Sequence, residues 1–236
     1  MKKNHTNTTV IDPSIKTLIW DLDGTLLDSF GVLAESLAAI LPGHNKVMPT
    51  EAVLRANFHG SLEDTIDNSL GGIDPDKLHR IVQDFLAHQN MIYEVIEDHF
   101  YPDALALAGR AHAAGKTQII VTNRGHINRL NASPRSIVER SKLKEYIDYV
   151  ICGDDSEHRK PRSAVIETLL HEGIINPAET LVIGDQIVDA QFAQNLTARG
   201  LLISRDGDSR AMQEKLVSDN IQLVHIINSL DEVDLS

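Results

Sequence analysis

Short apolar runs recur along the chain, and each is followed by polar residues or glycine. The runs are continuous and rich in β-branched residues, which is typical of strands buried on both faces. They lie at residues 17–20, 118–121, 149–152, 180–183, 201–203 and 223–226. Helical patterns lie between the later runs, at 103–114, 163–172 and 189–198. This alternation predicts an α/β fold with a doubly wound parallel sheet.

The gap between the first and second runs has a different pattern. It spans about a hundred residues without a strand-like run, and it carries helical patterns at 32–41, 50–57, 62–70 and 75–98, separated by glycine and proline. We interpret it as an α-helical cap domain of residues 30–99, inserted into a core domain of residues 1–29 and 100–236.

Two aspartates follow the first run, in the segment Asp21-Leu22-Asp23-Gly24-Thr25. Residues two apart in an extended chain point the same way, so both carboxylates can face the crevice beyond the strand ends, where open α/β sheets bind ligands. Adjacent carboxylates repel, so a cation between them or a proton on one of them is expected. Phosphoryl transfer can use one aspartate as nucleophile and the other as proton donor and acceptor.

Three further signals follow later runs. Thr122 offers a hydroxyl to a phosphate oxygen, Lys160 can neutralise a carboxylate and a phosphoryl oxygen, and Asp185 with Asp189 can place one carboxylate on a metal and the other in support. Each signal alone also fits a simpler explanation: a turn, a solvated lysine or a helix cap. Their shared placement at strand ends predicts a single site.

Charge narrows the chemistry of this site. The formal net charge is −12, and an acidic surface repels a phosphate backbone, so nucleic acid is not expected as a stable partner. An anionic substrate then needs positive charge from the site itself. The candidate ligands are carboxylates, without a cysteine or a matched histidine cluster, and such oxygen ligands beside phosphate favour Mg²⁺.

Cysteine content and hydropathy indicate the expected cellular compartment. Cys152 is the only cysteine, which excludes an intrachain disulfide and suits the reducing cytoplasm. It lies in a predicted buried strand, so we interpret it as a core residue rather than a nucleophile. No apolar run approaches the length of a membrane span, and we expect a monomer or homodimer without a membrane partner.

The ordered motifs resemble those of the haloacid dehalogenase-like hydrolases, whose core is Rossmann-like. The resemblance rests on the Asp21–Thr25 segment, Thr122, Lys160, and Asp185 with Asp189, and it covers the chain from about residue 16 to residue 233. The helical insert resembles that of the subgroup with an α-helical cap, which includes phosphoglycolate phosphatase and β-phosphoglucomutase. The motifs are specific for the superfamily and say little about the substrate.

The resemblance implies a role for each catalytic residue. Asp21 is similar to the family nucleophile and Asp23 to its general acid and base, while Thr122 matches the phosphate-binding hydroxyl and Lys160 the charge-balancing lysine. The expected activity is hydrolysis of a small phosphate monoester through an aspartyl-phosphate on Asp21.

The resemblance also implies the metal ligands. Asp185 matches the metal-binding aspartate, and the Asp21 carboxylate with the Asp23 backbone carbonyl would complete the protein ligands of Mg²⁺. Asp189 would support these ligands or bind through water.

We expect the substrate to be a small phosphorylated metabolite. Its phosphate would contact the core, and its leaving group would contact a glycine-containing loop of the cap. The expected substrate-binding residues are Thr122, Asn123, Lys160, His59, Gly60 and Ser61. Residues 131–142 form an elaboration after the second motif, and the sequence gives it no role.

Three alternatives bear on this interpretation. A dehalogenase needs neither a metal nor an acid two residues after its nucleophile, so Asp23 and Asp185 argue against it. A phosphomutase shares all four motifs and stays open. A non-catalytic regulatory or binding protein on this fold usually lacks a catalytic carboxylate, whereas this chain has all of them.

Overall fold

The computed structural model describes residues 9–58, 61–126, 130–205, 207 and 209–235. The strands of these residues are β1 Thr9–Val10, β2 Thr17–Trp20, β3 Thr117–Val121, β4 Tyr149–Ile151, β5 Thr180–Gly184, β6 Arg199–Ile203, β7 Val224–Ile227 and β8 Val233–Asp234. The α-helices are α1 Ser29–Ile40, α2 Glu51–Asn57, α3 Leu62–Ser69, α4 Pro75–Ile92, α5 Pro102–Ala113, α6 Pro134–Glu139, α7 Leu143–Tyr146, α8 Glu167–His171, α9 Ile187–Leu196 and α10 Ser209–Ser218. Short 3-10 helices lie at Leu41–His44, Tyr93–His99, Leu130–Ala132, Ser163–Ile166, Pro177–Glu179 and Leu230–Glu232.

Six strands form one parallel sheet in the order β4-β3-β2-β5-β6-β7. The strand β2 lies near the middle, with Trp20 opposite Ile120 of β3 and Ile183 of β5. All four residues of β2 are buried, because helices cover both faces of the sheet. The predicted fold class is therefore confirmed, and the six predicted strands match the observed ones to within two residues.

The two faces of the sheet pack against different helices. Ile19, Ile119 and Val182 point to one face and pack with Leu169 of α8 and Phe192 of α9. Successive residues of a strand point to opposite faces, so the neighbouring residues Trp20 and Gln118 face α5 and α7. This arrangement puts helices on both sides of the sheet.

Gln118 is a fully buried polar residue within this core. Its Oε1 accepts a hydrogen bond from Trp20 Nε1 at 3.1 Å, and its Nε2 donates to the backbone carbonyls of Ala108 at 2.9 Å and Tyr146 at 3.1 Å. One side chain therefore joins β2, β3, α5 and α7, and its polar atoms find partners within the protein, as burial requires.

The chain divides into two compact units, one formed by the residues up to Leu27 and from Phe100 onwards, the other by residues 28–99. The second unit is helical. Its core is formed by apolar residues of α1 to α4, including Leu37, Leu54, Ile66 and Phe85. Its function as a cap stays a prediction.

Capping side chains set where the helices of the second unit begin. The Asp28 carboxylate accepts from Gly31 N at the start of α1, and Thr50 and Ser61 do the same for α2 and α3. Asp74 caps α4, which begins with Pro75. Such caps satisfy backbone N–H groups that lack helical partners.

Some expectations about local structure were wrong. The predicted helix at 75–98 ends as an α-helix at Ile92 and continues as a 3-10 helix in which Val95 has a non-helical backbone. The predicted helix at 163–172 begins as a 3-10 helix and becomes α8 only at Glu167. The sequence patterns also missed the two-residue strands β1 and β8, which pair with each other, because such short strands carry little periodic signal.

The first prediction concerns the buried amide of Gln118. Gln118→Met keeps a similar volume but leaves the Trp20 N–H without its acceptor and removes two donors from buried carbonyls. We expect the free energy of unfolding to fall by about 2–4 kcal/mol, measured by chemical denaturation. Gln213→Met in exposed α10 is the control and should change stability by less than about 0.5 kcal/mol. An equally small effect at Gln118 would contradict the prediction.

Candidate active site

The predicted site residues of the core follow three neighbouring strands. Asp21 follows β2, Thr122 follows β3 and Asp185 follows β5, and these strands are adjacent in the sheet. Asp21 N donates to Ile183 O at 2.8 Å, and Thr122 N donates to Ile151 O at 3.1 Å, so the ladder of the sheet extends to these positions. Register therefore brings residues distant in sequence to one edge of the sheet, where α/β proteins bind ligands.

A buried lysine lies between two buried aspartates at this edge. Lys160 Nζ donates to Asp21 Oδ1 at 2.5 Å and to Asp189 Oδ1 at 2.6 Å. The exposed fractions of the side chains are 3% for Lys160, 9% for Asp21 and 3% for Asp189. Charges at this depth are stable only when they are paired and hydrogen-bonded, so the three groups form one electrostatic unit.

Asp189 also shapes the helix that follows β5. Its Oδ2 accepts from Gln186 N at 3.1 Å, and the Gln186 side chain bonds reciprocally, so the two residues form a capping box at the start of α9. Asp189 is therefore a helix cap through one oxygen, while its other oxygen accepts from Lys160. Its support of a metal ion stays a prediction.

Asp185 is positioned by the segment after β2. Thr25 Oγ1 donates to Asp185 Oδ1 at 3.2 Å. Gly24 has a φ of +79°, and a Cβ placed there would lie 2.2 Å from Asp185 Oδ2. The turn therefore requires glycine both for its backbone conformation and for its close approach to the carboxylate.

Three carboxylates come together as potential metal ligands. Oxygens of Asp21, Asp185 and Asp189 all lie within 4.8 Å of one another. The sequence predicted side-chain ligation by Asp21 and Asp185, with Asp189 in support. The structure places the Asp189 carboxylate in the same cluster, whereas the Asp23 carboxylate has another partner. Ligation through the Asp23 backbone carbonyl stays a prediction.

The electrostatics of this cluster favour a cation. Burial raises the pKa of Asp21 to about 7, and the charges of Asp189 and Asp23 add to the rise while Lys160 opposes it. Burial and the charges of Asp21 and Asp189 also raise the pKa of Asp185 well above its usual range. Although burial disfavours its charged form, Asp189 and Asp21 hold the pKa of Lys160 above its ordinary value. One ammonium faces three carboxylates, so an oxygen-preferring cation such as Mg²⁺ fits the donor set.

Asp23 is held by an arginine that the sequence patterns gave no role. Arg124 Nε donates to Asp23 Oδ2 at 3.0 Å, and Arg124 Nη2 donates to Asp23 Oδ1. The two residues are 101 positions apart, so neither periodicity nor local motif indicates the pair. A charged residue directly after Thr122 and Asn123 at a strand end was the available signal.

The two residues before Arg124 also have defined partners. Thr122 is buried, and its Oγ1 accepts from Arg124 N at 3.1 Å, which leaves the hydroxyl hydrogen available for an acceptor. Asn123 Oδ1 accepts from Lys160 N at 2.9 Å, and Asn123 Nδ2 donates to Lys160 O at 3.1 Å. Asn123 therefore fixes the backbone of Lys160, and contacts of Thr122, Asn123 and Lys160 with substrate stay predictions.

Comparison with known proteins assigns the family. The sequence model of the haloacid dehalogenase-like hydrolases matches residues 18–203, well over half of the chain. The chain belongs to the haloacid dehalogenase-like hydrolases. The predicted family is therefore confirmed.

Curated relatives of this hydrolase include two kinds of enzyme. Pyrophosphatase PpaX of Anoxybacillus flavithermus is 27% identical over 173 residues, which are 73% of this chain and 75% of the relative. Phosphoglycolate phosphatase of Nitrosospira multiformis is 27% identical over 187 residues, covering 76% of this chain and 79% of the relative.

Solved structures share the fold. A subfamily IA, variant 1 hydrolase of the haloacid dehalogenase superfamily from Geobacter sulfurreducens superposes with a TM-score of 0.68 at 16% identity, over 93% of this chain and 94% of that chain. At this identity the likeness concerns the fold alone.

Part of the predicted substrate loop of the hydrolase is not described by the structure. His59 and Gly60 lie outside the described residues. Ser61 Oγ accepts from Asp64 N at 3.1 Å and donates to Asp64 Oδ2 at 2.7 Å, so Ser61 is the N-terminal cap of α3. Its contact with substrate stays a prediction.

A second group of polar side chains lies close to the end of β4. His126 Nδ1 lies 2.7 Å from Asp154 Oδ1, and ligand atoms of His126, Cys152 and Asp155 lie within 4.8 Å of one another. However, Arg135 Nη2 already donates to both oxygens of Asp155 at 2.7 Å. Burial raises the pKa of Cys152 to about 11, in keeping with its interpretation as a core thiol.

Within the described ranges, none of the helices of this hydrolase is both long enough and apolar enough to span a membrane. The expectation of a cytoplasmic monomer or homodimer stays a prediction.

The second prediction uses the repulsion within the carboxylate cluster. Asp185→Asn keeps an acceptor for Thr25 but removes one negative charge, so at pH 8 without metal we expect the melting temperature to rise by about 2–6 °C. Because the pKa of Asp185 is raised, wild-type Asp185 becomes protonated and neutral as the pH falls, and the gain should shrink at pH 5. Stabilisation by added Mg²⁺ should be lost in the variant.

The measurement is thermal denaturation with chelator and with Mg²⁺ at both pH values. Asp231→Asn removes an exposed carboxylate and is the matched control, with little change expected under any condition. An Asp185→Asn protein that melts below wild type in chelator at pH 8 would show that its charge is already compensated.

Proposed function

We propose that this protein is a Mg²⁺-dependent phosphatase that hydrolyses a small phosphate monoester through an aspartyl-phosphate intermediate on Asp21. The observation that carries the proposal is the buried contact of Lys160 Nζ with Asp21 Oδ1 at 2.5 Å, beside the oxygens of Asp185 and Asp189. A carboxylate nucleophile, a fixed cation and an oxygen-lined metal site are the parts that phosphoryl transfer through an aspartyl-phosphate can use.

In the first half of the reaction, a carboxylate oxygen of Asp21 forms a bond to phosphorus while the bond from phosphorus to the leaving oxygen breaks. Asp23 gives its proton to that leaving oxygen, which departs as an alcohol. Lys160 keeps Asp21 oriented and compensates negative charge. The Thr122 hydroxyl and nearby backbone N–H groups bind phosphoryl oxygens, whose charge must be stabilised as the bonds change.

In the second half, Asp23 acts as a base. It takes a proton from water, the water oxygen attacks phosphorus, and the bond to Asp21 breaks. Inorganic phosphate leaves, and Asp21 returns to its carboxylate form. The same group thus alternates between acid and base, which requires that its carboxylate stays oriented toward the reacting oxygens.

Asp21 and Asp185 would hold Mg²⁺ through their carboxylates, with the backbone carbonyl of Asp23 and support from Asp189. When bound, the ion supplies positive charge that stabilises the phosphoryl oxygens. Its charge would also counter the burial and the carboxylate repulsion that raise the pKa of Asp21, which would favour the ionised form of the nucleophile at neutral pH.

The names of the relatives support a small, anionic phosphate compound as the substrate. Their names include phosphoglycolate phosphatase and pyrophosphatase, so the substrates to test first are small and anionic. The helical unit of residues 28–99 would close over the core and select the leaving group. Its loop at His59, Gly60 and Ser61 stays the proposed contact.

The third prediction concerns metal dependence. Release of inorganic phosphate from an aryl phosphate should disappear with a chelator and return with Mg²⁺, because the clustered carboxylates need the cation. A panel that includes phosphoglycolate, pyrophosphate and sugar phosphates then identifies the preferred substrate. Phosphate release distinguishes a phosphatase from a phosphomutase, which would move the group to another position of a sugar. Full activity in metal-free buffer would contradict the proposed site.

The fourth prediction separates the two aspartates. Asp21→Asn should abolish formation of the phosphoenzyme. Asp23→Asn should lower kcat/KM by about 10²–10⁴-fold for an alkyl phosphate, whose leaving group needs a proton, and far less for an aryl phosphate with an acidic phenol. Asp231→Asn should retain wild-type rates on both substrates. Equal losses of Asp23→Asn on the two substrates would show that Asp23 is not the proton donor.

A further inference from the structure

The Asp23 carboxylate is bound by a two-pronged guanidinium. Arg124 Nε and Nη2 donate to different oxygens of Asp23, the bidentate geometry that fixes both the distance and the plane of a carboxylate. The exposed fraction is 12% for the Arg124 side chain and 27% for Asp23. The pair is therefore partly buried, with Asp23 more open to solvent than Arg124.

Arg124 is anchored at several further points. Its Nη1 donates to Ala132 O at 3.3 Å, at the end of the 3-10 helix that precedes α6. Its backbone N donates to Thr122 Oγ1 at 3.1 Å, and its backbone O accepts from Gly153 N at 2.9 Å. The guanidinium is thus held from the side opposite Asp23, so it can restrict the motion of the carboxylate.

This pairing is compatible with proton transfer by Asp23. A carboxylate has about four lone-pair positions, and the two hydrogen bonds from Arg124 use one on each oxygen. The others can carry a proton to a leaving oxygen or accept one from water. A lysine would supply the charge without the two parallel hydrogen bonds, because an ammonium is a point charge whereas a guanidinium is planar and bidentate.

We propose that Arg124 is a positioning residue that orients Asp23 for proton transfer, and that the elaboration of residues 131–142 supports Arg124 through the Ala132 carbonyl. The proposal rests on the proposed phosphatase function. It gives a role to the elaboration after the second motif, whose Ala132 carbonyl accepts from the guanidinium. Arg124 acts through Asp23, so its loss should reproduce the kinetic pattern of losing Asp23.

The test compares Arg124→Ala, Asp23→Asn and the double variant by kcat/KM on two esters, an alkyl phosphate and an aryl phosphate with an acidic phenol. This constant reports the steps through release of the leaving group. Arg124→Ala should lower kcat/KM at least about tenfold for the alkyl ester and less than about threefold for the aryl ester. In the Asp23→Asn background, the same substitution should cost less than about twofold on either ester.

The second half of the reaction offers an independent readout. With a good leaving group, hydrolysis of the phosphoenzyme limits kcat and requires Asp23 as a base. Arg124→Ala should therefore lower kcat for the aryl ester while its kcat/KM changes little. A purely structural role would not separate these two constants.

Two further variants serve as controls. Arg210→Ala removes an exposed arginine of α10 whose Nε donates to Glu214 Oε1 at 2.9 Å, away from Asp23 and from the elaboration, and it should keep rates within about twofold of wild type. Arg124→Lys retains the positive charge but loses the bidentate hydrogen bonds to Asp23, so it should behave like Arg124→Ala. It also preserves the test if the alanine variant fails to fold, as judged by thermal denaturation.

Several results would overturn the proposal. They are equal losses on the two esters, additive losses in the double variant, full activity of Arg124→Lys, or faster turnover of the alkyl ester by Arg124→Ala. If wild type is a Mg²⁺-dependent phosphatase and Asp23→Asn behaves as expected, such results reject only the role of Arg124. A wild-type protein without phosphatase activity rejects the proposed function, and the role of Arg124 is rejected with it.

Discussion

The arrangement of the candidate site depends on one ammonium group buried among carboxylates. Lys160 Nζ contacts both Asp21 and Asp189, and its side chain is almost fully removed from water. Without it, two buried carboxylates would lose their compensating charge, a change that typically costs about 3–5 kcal/mol. Three clustered carboxylates at the strand ends are unfavourable for stability, in keeping with the proposed catalytic role of their charges.

The segment after β3 helps to position Lys160 and Asp23. Its three consecutive residues have three different partners. Thr122 accepts from the local backbone, Asn123 hydrogen-bonds to the backbone of Lys160, and Arg124 donates to the Asp23 carboxylate. Three adjacent residues thus relate the lysine and the proposed proton donor to the same strand end.

The sequence was informative wherever a signal is local. The apolar run of residues 17–20 predicts β2 because burial on both faces demands apolar residues throughout. The close approach of Gly24 to Asp185 was not predicted, because the two residues lie in distant segments. Side-chain pairing between distant segments was not predictable in this way. Arg124 and Asp23 are 101 residues apart, and no periodicity relates them. The change to a 3-10 helix after Ile92 depends on tertiary packing, which helix periodicity does not report.

The order of strands in the sheet has a consequence for how the chain folds. The early strand β2 has as neighbours β3, which begins at Thr117, and β5, which begins at Thr180. During synthesis, β2 therefore leaves the ribosome long before either partner exists. The helical unit of residues 28–99 depends on contacts within its own segment and can form first. The proposed nucleophile Asp21, just after β2, gains its surroundings only when residues beyond 180 have been made, so the candidate active site is among the last parts of the molecule to be assembled.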